Sequence, residues 1–75
     1  MQITLNGDRF EVPPVPGVPG IAESLTVSDL LGRLDIDARR VAVEHNLIVL
    51  KRAAFAETLV RDGDQVEIVN FVGGG

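Results

Sequence analysis

One segment of the chain carries the apolar spacing of an amphipathic helix, whereas the other patterned segments alternate as β-strands do. The helical stripe falls at positions i, i+3, i+4 and i+7 and consists of Val27, Leu30, Leu31 and Leu34. Thr26 precedes the stripe as a favourable N-cap, and Asp29 places a carboxylate in the first turn, where the helix dipole stabilises it. We predict a helix over residues 27–34. Since this one helix can cover only one sheet face, the simplest arrangement is a single sheet packed on it in two layers.

The strand predictions come from alternating runs that are separated by turn signals. These runs cover residues 2–6, 9–12, 41–44, 48–51 and 65–71. The first two flank Asn6-Gly7-Asp8, which is typical of a β-hairpin. Asn46 marks the turn between the third and fourth runs, and the Asp62-Gly63-Asp64 turn precedes the last run. We therefore predict five strands around one main helix.

Residues 53–57 are predicted as a short helical or 3₁₀ connection, with Phe55 and Leu59 as inward-pointing anchors. The resulting order predicts an α+β β-grasp fold of the ubiquitin type, with a mixed sheet of four to five strands. In this fold the first and last strands pair in parallel at the centre, so that the C-terminal residues project from the sheet. We expect residues 1–70 to form the domain and residues 71–75 to form a flexible tail. The proline-rich residues 13–20 are interpreted as an extended loop rather than as a ligand for SH3 or WW domains.

The sequence closes on Phe71-Val72-Gly73-Gly74-Gly75, a pattern that suits a tail whose carboxylate is the reacting group. Glycine has no Cβ, so such a tail can lie extended in a narrow channel of a partner enzyme. Fully extended, residues 71–75 reach about 17 Å. The functional interpretation is a carrier whose terminal carboxylate attacks the α-phosphate of ATP. The alternative is a frayed terminus or the remnant of an expression vector.

Composition excludes several other classes of function. The chain has no cysteine, which removes a thiol nucleophile, a disulfide framework and a thiolate zinc site. Its seven Lys and Arg residues are scattered and its formal net charge is −4, so the basic patch of a nucleic-acid-binding protein is missing. We expect a soluble, cytoplasmic protein, since no segment reads as a signal peptide or membrane span. His45 is interpreted as a plain surface histidine, and Asp62 and Asp64 as turn residues rather than calcium ligands.

Four blocks in order along the chain resemble the ThiS family of sulfur carriers in thiamine biosynthesis. They are Thr26-Val27-Ser28-Asp29-Leu30-Leu31, Val41-Ala42-Val43-Glu44-His45-Asn46, Arg61-Asp62-Gly63-Asp64-Gln65-Val66-Glu67-Ile68-Val69 and Phe71-Val72-Gly73-Gly74-Gly75. The terminal block, together with the block at residues 41–46, is more specific to this family than the other two blocks. The proline-rich stretch at residues 13–20 departs from the family, which usually has a short link into the helix.

This resemblance implies a carrier that is a co-substrate and not an enzyme. A ubiquitin-activating-like (ThiF-like) adenylyltransferase would use ATP and Mg²⁺ to adenylate Gly75, and sulfur from a cysteine desulfurase would convert it into a thiocarboxylate. Thiazole synthase (ThiG-like) would accept that sulfur, and no cofactor would be bound by the chain itself. The tail residues Val72, Gly73, Gly74 and Gly75 would enter the partner's active site.

Val69 and Phe71 are predicted to dock the partner, because they share the outward side of the last strand with the polar Glu67. Three alternatives remain open at this point. One is a related carrier, such as the small subunit of molybdopterin synthase or a carrier for cysteine synthesis. The second is a β-grasp interaction module without carrier chemistry. The third is conjugation to proteins in the manner of ubiquitin, which also needs a Gly-Gly tail.

Overall fold

The computed structural model describes residues 1–13 and 24–71, in which a five-stranded mixed sheet packs on one α-helix. The sheet consists of β1 (Gln2–Leu5), β2 (Asp8–Glu11), β4 (Val41–His45), β5 (Ile48–Leu50) and β7 (Gln65–Asn70), in the order β2-β1-β7-β4-β5. The remaining elements are β3 (Ser24–Thr26), α1 (Val27–Arg33), β6 (Leu59–Arg61) and two 3₁₀ turns, Ala38–Arg40 and Arg52–Ala54. The predicted β-grasp fold is confirmed.

Strand β7 lies at the centre of the sheet, parallel to β1 and antiparallel to β4. The backbone N–H of Thr4 donates to the carbonyl of Asp64, and that of Asn6 donates to the carbonyl of Val66, each at 2.9 Å. The Asn6 side chain extends this contact by accepting a 2.7 Å hydrogen bond from the Ile68 N–H. The predicted parallel pairing of the first and last strands is therefore confirmed, and it brings the end of β7 out of the middle of the fold.

Helix α1 begins and ends as its sequence dictates. The Thr26 hydroxyl accepts from the Asp29 N–H at 3.0 Å, and the Asp29 carboxylate accepts from the Thr26 N–H at 3.1 Å. This reciprocal pair is a capping box with aspartate in the third helical position. The helix stops at its C-cap Leu34 because the next residue, Asp35, has a φ of 59° and cannot continue a right-handed helix.

The helix buries its apolar stripe against the inner face of the sheet. Val27, Leu30 and Leu31 have almost no solvent exposure. They belong to one cluster that also contains Ile3, Val12, Leu25, Val41, Val43, Phe55, Val60 and Val66. The predicted stripe is confirmed for its first three members, whereas Leu34 is only partly buried at the edge of the cluster.

A second, two-stranded sheet formed by β3 and β6 was not predicted, and it overturns the expected role of Leu59. Antiparallel pairing places Leu25 opposite Val60 and Thr26 opposite Leu59. Val60 is fully buried, so its neighbour Leu59 points the other way and is 42% exposed. The inward anchors are therefore Phe55, as predicted, and Val60 instead of Leu59. Strands of three residues are too short to reveal their side by alternation.

The proline-rich prediction lies outside the described residues except at its start. There the carbonyl of Pro13 accepts a 2.8 Å hydrogen bond from Nη1 of Arg33 at the end of α1. Over the described ranges 1–13 and 24–71, none of the helices has the length and apolar character needed to cross a membrane.

Candidate functional site

The outer face of the sheet is the surface next to Phe71, where the predicted tail begins. In β7, Val66 and Ile68 point inward, whereas Glu67 and Val69 point outward. Pairing with β4 sets Ala42 opposite Val69 and Glu44 opposite Glu67. Directly opposed residues of antiparallel strands share a face, so these four side chains form one outward surface.

Phe71 remains attached to the fold just before the predicted tail begins. Its backbone N–H donates to the carbonyl of Arg40 at 2.9 Å, one residue beyond the end of β7. Arg40 closes a 3₁₀ turn that is capped by Asp37, whose carboxylate accepts from the Arg39 backbone N–H at 2.9 Å. The side chain of Arg39 also binds this carboxylate, and the two hydrogen bonds lower the pKa of Asp37 to about 2. This charged turn therefore fixes where the chain leaves the sheet.

Val69 and Phe71 are 61% and 62% exposed, as the alternation of the last strand predicted. Their docking role stays a prediction, and so does the division into a domain and a tail. Val72, Gly73, Gly74 and Gly75 lie outside the described residues. The structure thus defines the surface around Phe71, the last residue that it describes.

The sequence-based prediction missed the contribution of β5 to this surface. Val49 lies opposite Glu44 in the β4–β5 pair and is exposed, and Leu47 in the preceding turn is exposed as well. Both residues are part of the apolar run Leu47-Ile48-Val49-Leu50, which does not alternate with polar residues. The signal available was the run itself at an edge strand, where continuous apolar residues cannot all be buried.

The opposite end of β7 carries a compact hydrogen-bond cluster. His45 Nε2 lies 2.7 Å from Oδ2 of Asp64, and the same carboxylate oxygen accepts from the Arg61 N–H at 2.9 Å. The adjacent Asn46 uses its side-chain oxygen to accept from the Gln65 N–H at 2.9 Å. This cluster ties the β4–β5 turn to the turn before β7.

The prediction that His45 is a plain surface histidine is wrong, because its side chain is mostly buried and bonded to Asp64. Burial disfavours the charged form of Asp64, but hydrogen bonds from Arg61, His45 and Asn46 outweigh it and lower the pKa of its carboxyl group. The Asp62 carboxylate accepts from the Gln2 N–H at 2.7 Å, which closes the turn. Both aspartates are turn residues, as predicted.

Comparison with known proteins identifies the family. The model of the ThiS family matches residues 3–75, which is nearly the whole chain. The chain belongs to the ThiS family. The predicted resemblance to this family is thereby confirmed.

Individual ThiS relatives support the same assignment. The crystal structure of the thiamine biosynthesis protein ThiS from Geobacter metallireducens is similar over 100% of both chains, with 46% identity and a TM-score of 0.78. The sulfur carrier protein ThiS of Bacillus subtilis is 38% identical over 50 residues, which cover 67% of this chain and 76% of that protein.

A relative of a different size is the thiazole synthase of Paramagnetospirillum magneticum. It is 40% identical to this chain over 75 residues, which are 100% of this chain and 20% of that protein. This chain therefore spans only about a fifth of the length of that relative.

Proposed function

We propose that this protein carries sulfur as a thiocarboxylate on Gly75 and delivers it to a thiazole synthase. The match to the ThiS family model over residues 3–75, which includes the last glycine, is the observation that carries the proposal. The fold supports it, because the central strand β7 leads out of the sheet at Phe71, four residues before Gly75. The chain would act as a co-substrate whose chemistry is performed by its partners.

The proposed reaction needs only the terminal carboxylate of Gly75 and the tail residues Val72, Gly73 and Gly74 that present it. A ThiF-like adenylyltransferase would bind ATP and Mg²⁺ and let a carboxylate oxygen attack the α-phosphorus, releasing pyrophosphate. The terminal sulfur of a desulfurase persulfide would then attack the acyl carbon and displace AMP. A thiol would cleave the resulting acyl disulfide and leave the thiocarboxylate. In this scheme the chain itself binds neither nucleotide nor metal.

The choice of thiazole synthase as the acceptor rests on the longer relatives. Two proteins with that name, from Paramagnetospirillum magneticum and Magnetococcus marinus, each contain a stretch similar to this entire chain within a fifth of their length. A carrier-like stretch and a synthase in one polypeptide suit a direct transfer between the two. We infer that this chain serves the same kind of enzyme.

Intact-protein mass spectrometry tests the proposal. The protein is incubated with the adenylyltransferase, ATP, Mg²⁺, a cysteine desulfurase, cysteine and a thiol reductant. The expected result is the mass gain of exchanging one oxygen for one sulfur, located on Gly75. A variant lacking Gly75 is the control and should gain nothing. An unchanged wild-type mass, beside an active control carrier in the same mixture, would contradict the proposal.

A further inference from the structure

A pair of glutamates occupies the middle of the outer sheet face. Glu44 of β4 and Glu67 of β7 are directly opposite each other in the antiparallel register. Opposed side chains in such a pair have Cβ atoms about 4.5–5.5 Å apart, and like charges at this spacing destabilise a sheet. Among the residues that the structure describes, no cation forms a salt bridge with either carboxylate. The fold therefore keeps two neighbouring negative charges that it does not neutralise.

Apolar side chains surround this pair on the same face. Two shallow hollows meet at the glutamates: Leu47 borders one of them, and Val49 and Val69 border the other. All three apolar side chains are more than half exposed. An exposed apolar surface of this kind on a small protein indicates a protein interface.

We propose that the Glu44–Glu67 pair binds an arginine or lysine side chain of the adenylyltransferase. Leu47, Val49 and Val69 form an apolar rim around the pair and pack against the partner. Two carboxylates on the same face suit the donors of a guanidinium or an ammonium group. A second copy of this chain is a poor occupant, because its own pair and its net charge of −4 would repel. This inference rests on the proposed function, which supplies the partner.

The position of Glu67 in β7 places the glutamate pair close to the point where the predicted tail begins. Glu67 precedes Val69 by two residues and Phe71 by four on the same side of the chain. A partner cation held at Glu67 would therefore fix the partner a short distance from the point where the tail emerges. Docking and tail insertion would then share one geometry.

Binding to the adenylyltransferase without ATP tests the inference by titration calorimetry over a series of salt concentrations. The variant that combines Glu44→Gln with Glu67→Gln should bind about tenfold more weakly, because it loses the charge complementarity but keeps the side-chain shape. Its affinity should also depend less on salt than that of the wild type. Glu67→Arg should bind more weakly still, since it repels the partner's cation. Glu57→Gln, which removes one charge from an exposed position outside this face, is the matched control and should bind like the wild type.

Thermal unfolding of the same variants separates docking from folding. The double glutamine variant should unfold at the same temperature as the wild type or a higher one, because the like-charge repulsion is relieved. Equal binding by the wild type and the double variant would overturn the inference, even if the wild type still acquires sulfur. Absence of both binding and sulfur transfer in the wild type would overturn the proposed function together with this inference.

Discussion

Asp64 connects three segments of the chain through a single carboxylate. It accepts hydrogen bonds from the Arg61 backbone and from the His45 ring, and it is followed directly by β7. Its pairing with His45 could not be predicted, because the two residues are 19 positions apart and meet only after β4 and β7 have paired. The capping box of Thr26 and Asp29 could be predicted, since its partners are three residues apart.

The lowered pKa of Asp64 makes stability depend on pH in acid. A carboxyl group whose folded pKa lies below its usual 3.8 contributes stability above that value and loses it as pH falls through the folded pKa. We expect Asp64→Asn to lower the free energy of unfolding at neutral pH by about 1–2 kcal/mol. The difference from the wild type should shrink as the pH falls below 3.8 and through the folded pKa of Asp64.

Urea unfolding at a series of pH values measures this effect. Asp8→Asn is the matched control, because Asp8 is an exposed aspartate in β2. The control should follow the wild type at every pH. A deficit of Asp64→Asn that stays constant down to the lowest pH would show that the charge of Asp64 is not what stabilises the fold.

At the scale of the element, the first turn of α1 depends on Thr26. Its hydroxyl satisfies the Asp29 N–H, one of the four N–H groups that a helix start leaves without an intrahelical partner. We expect Thr26→Ala to lower the free energy of unfolding by about 1 kcal/mol. Ser28→Ala is the control, since Ser28 is an exposed residue of the same turn. Equal midpoints for the two variants in urea would contradict a capping role for Thr26.

Strand β6 shows why the sequence predicted some elements and not others. The long runs, such as β7 and the stripe of α1, repeat often enough to reveal both their type and their buried side. Strand β6 has three residues, of which Leu59 and Val60 are adjacent and apolar. Alternation therefore does not show which of the two points inward. Its pairing with β3 decides the outcome, and that pairing is not local in the sequence.

Substitution of each residue in turn by alanine tests whether Val60 or Leu59 is the inward-pointing residue of β6. Val60→Ala should lower the free energy of unfolding by about 2 kcal/mol, because it removes fully buried methyl groups and leaves a cavity. Leu59→Ala should cost clearly less, about 0.5 kcal/mol, although it removes more atoms, because Leu59 is exposed to solvent. Thermal and urea unfolding check both values. A larger loss for Leu59→Ala would reverse the inward assignment.

At the scale of the whole molecule, the order of the elements was sufficient to predict the fold. One helix and five strands leave few two-layer arrangements, and central parallel pairing of β1 and β7 follows in the β-grasp. The outer face was predicted only in part. Val69 follows from alternation along β7, but Val49 reaches the same face through β4, which lies between the two strands. A surface assembled from three strands requires the register of all three.

Phe71 tests whether this surface works together with the tail. Its side chain is exposed, so Phe71→Asp should leave the unfolding midpoint nearly unchanged, while a charge in an apolar contact should slow adenylation by about tenfold or more. Ile48→Asp is the matched control. It adds the same charge at an equally exposed site, but Ile48 pairs with His45 and so faces the opposite side of the sheet. Pyrophosphate release at a low carrier concentration measures the rate. If both variants are adenylated at equal rates, Phe71 does not belong to the docking surface. If only Phe71→Asp is slow and its fold is intact, the sheet end and the tail are recognised as one unit.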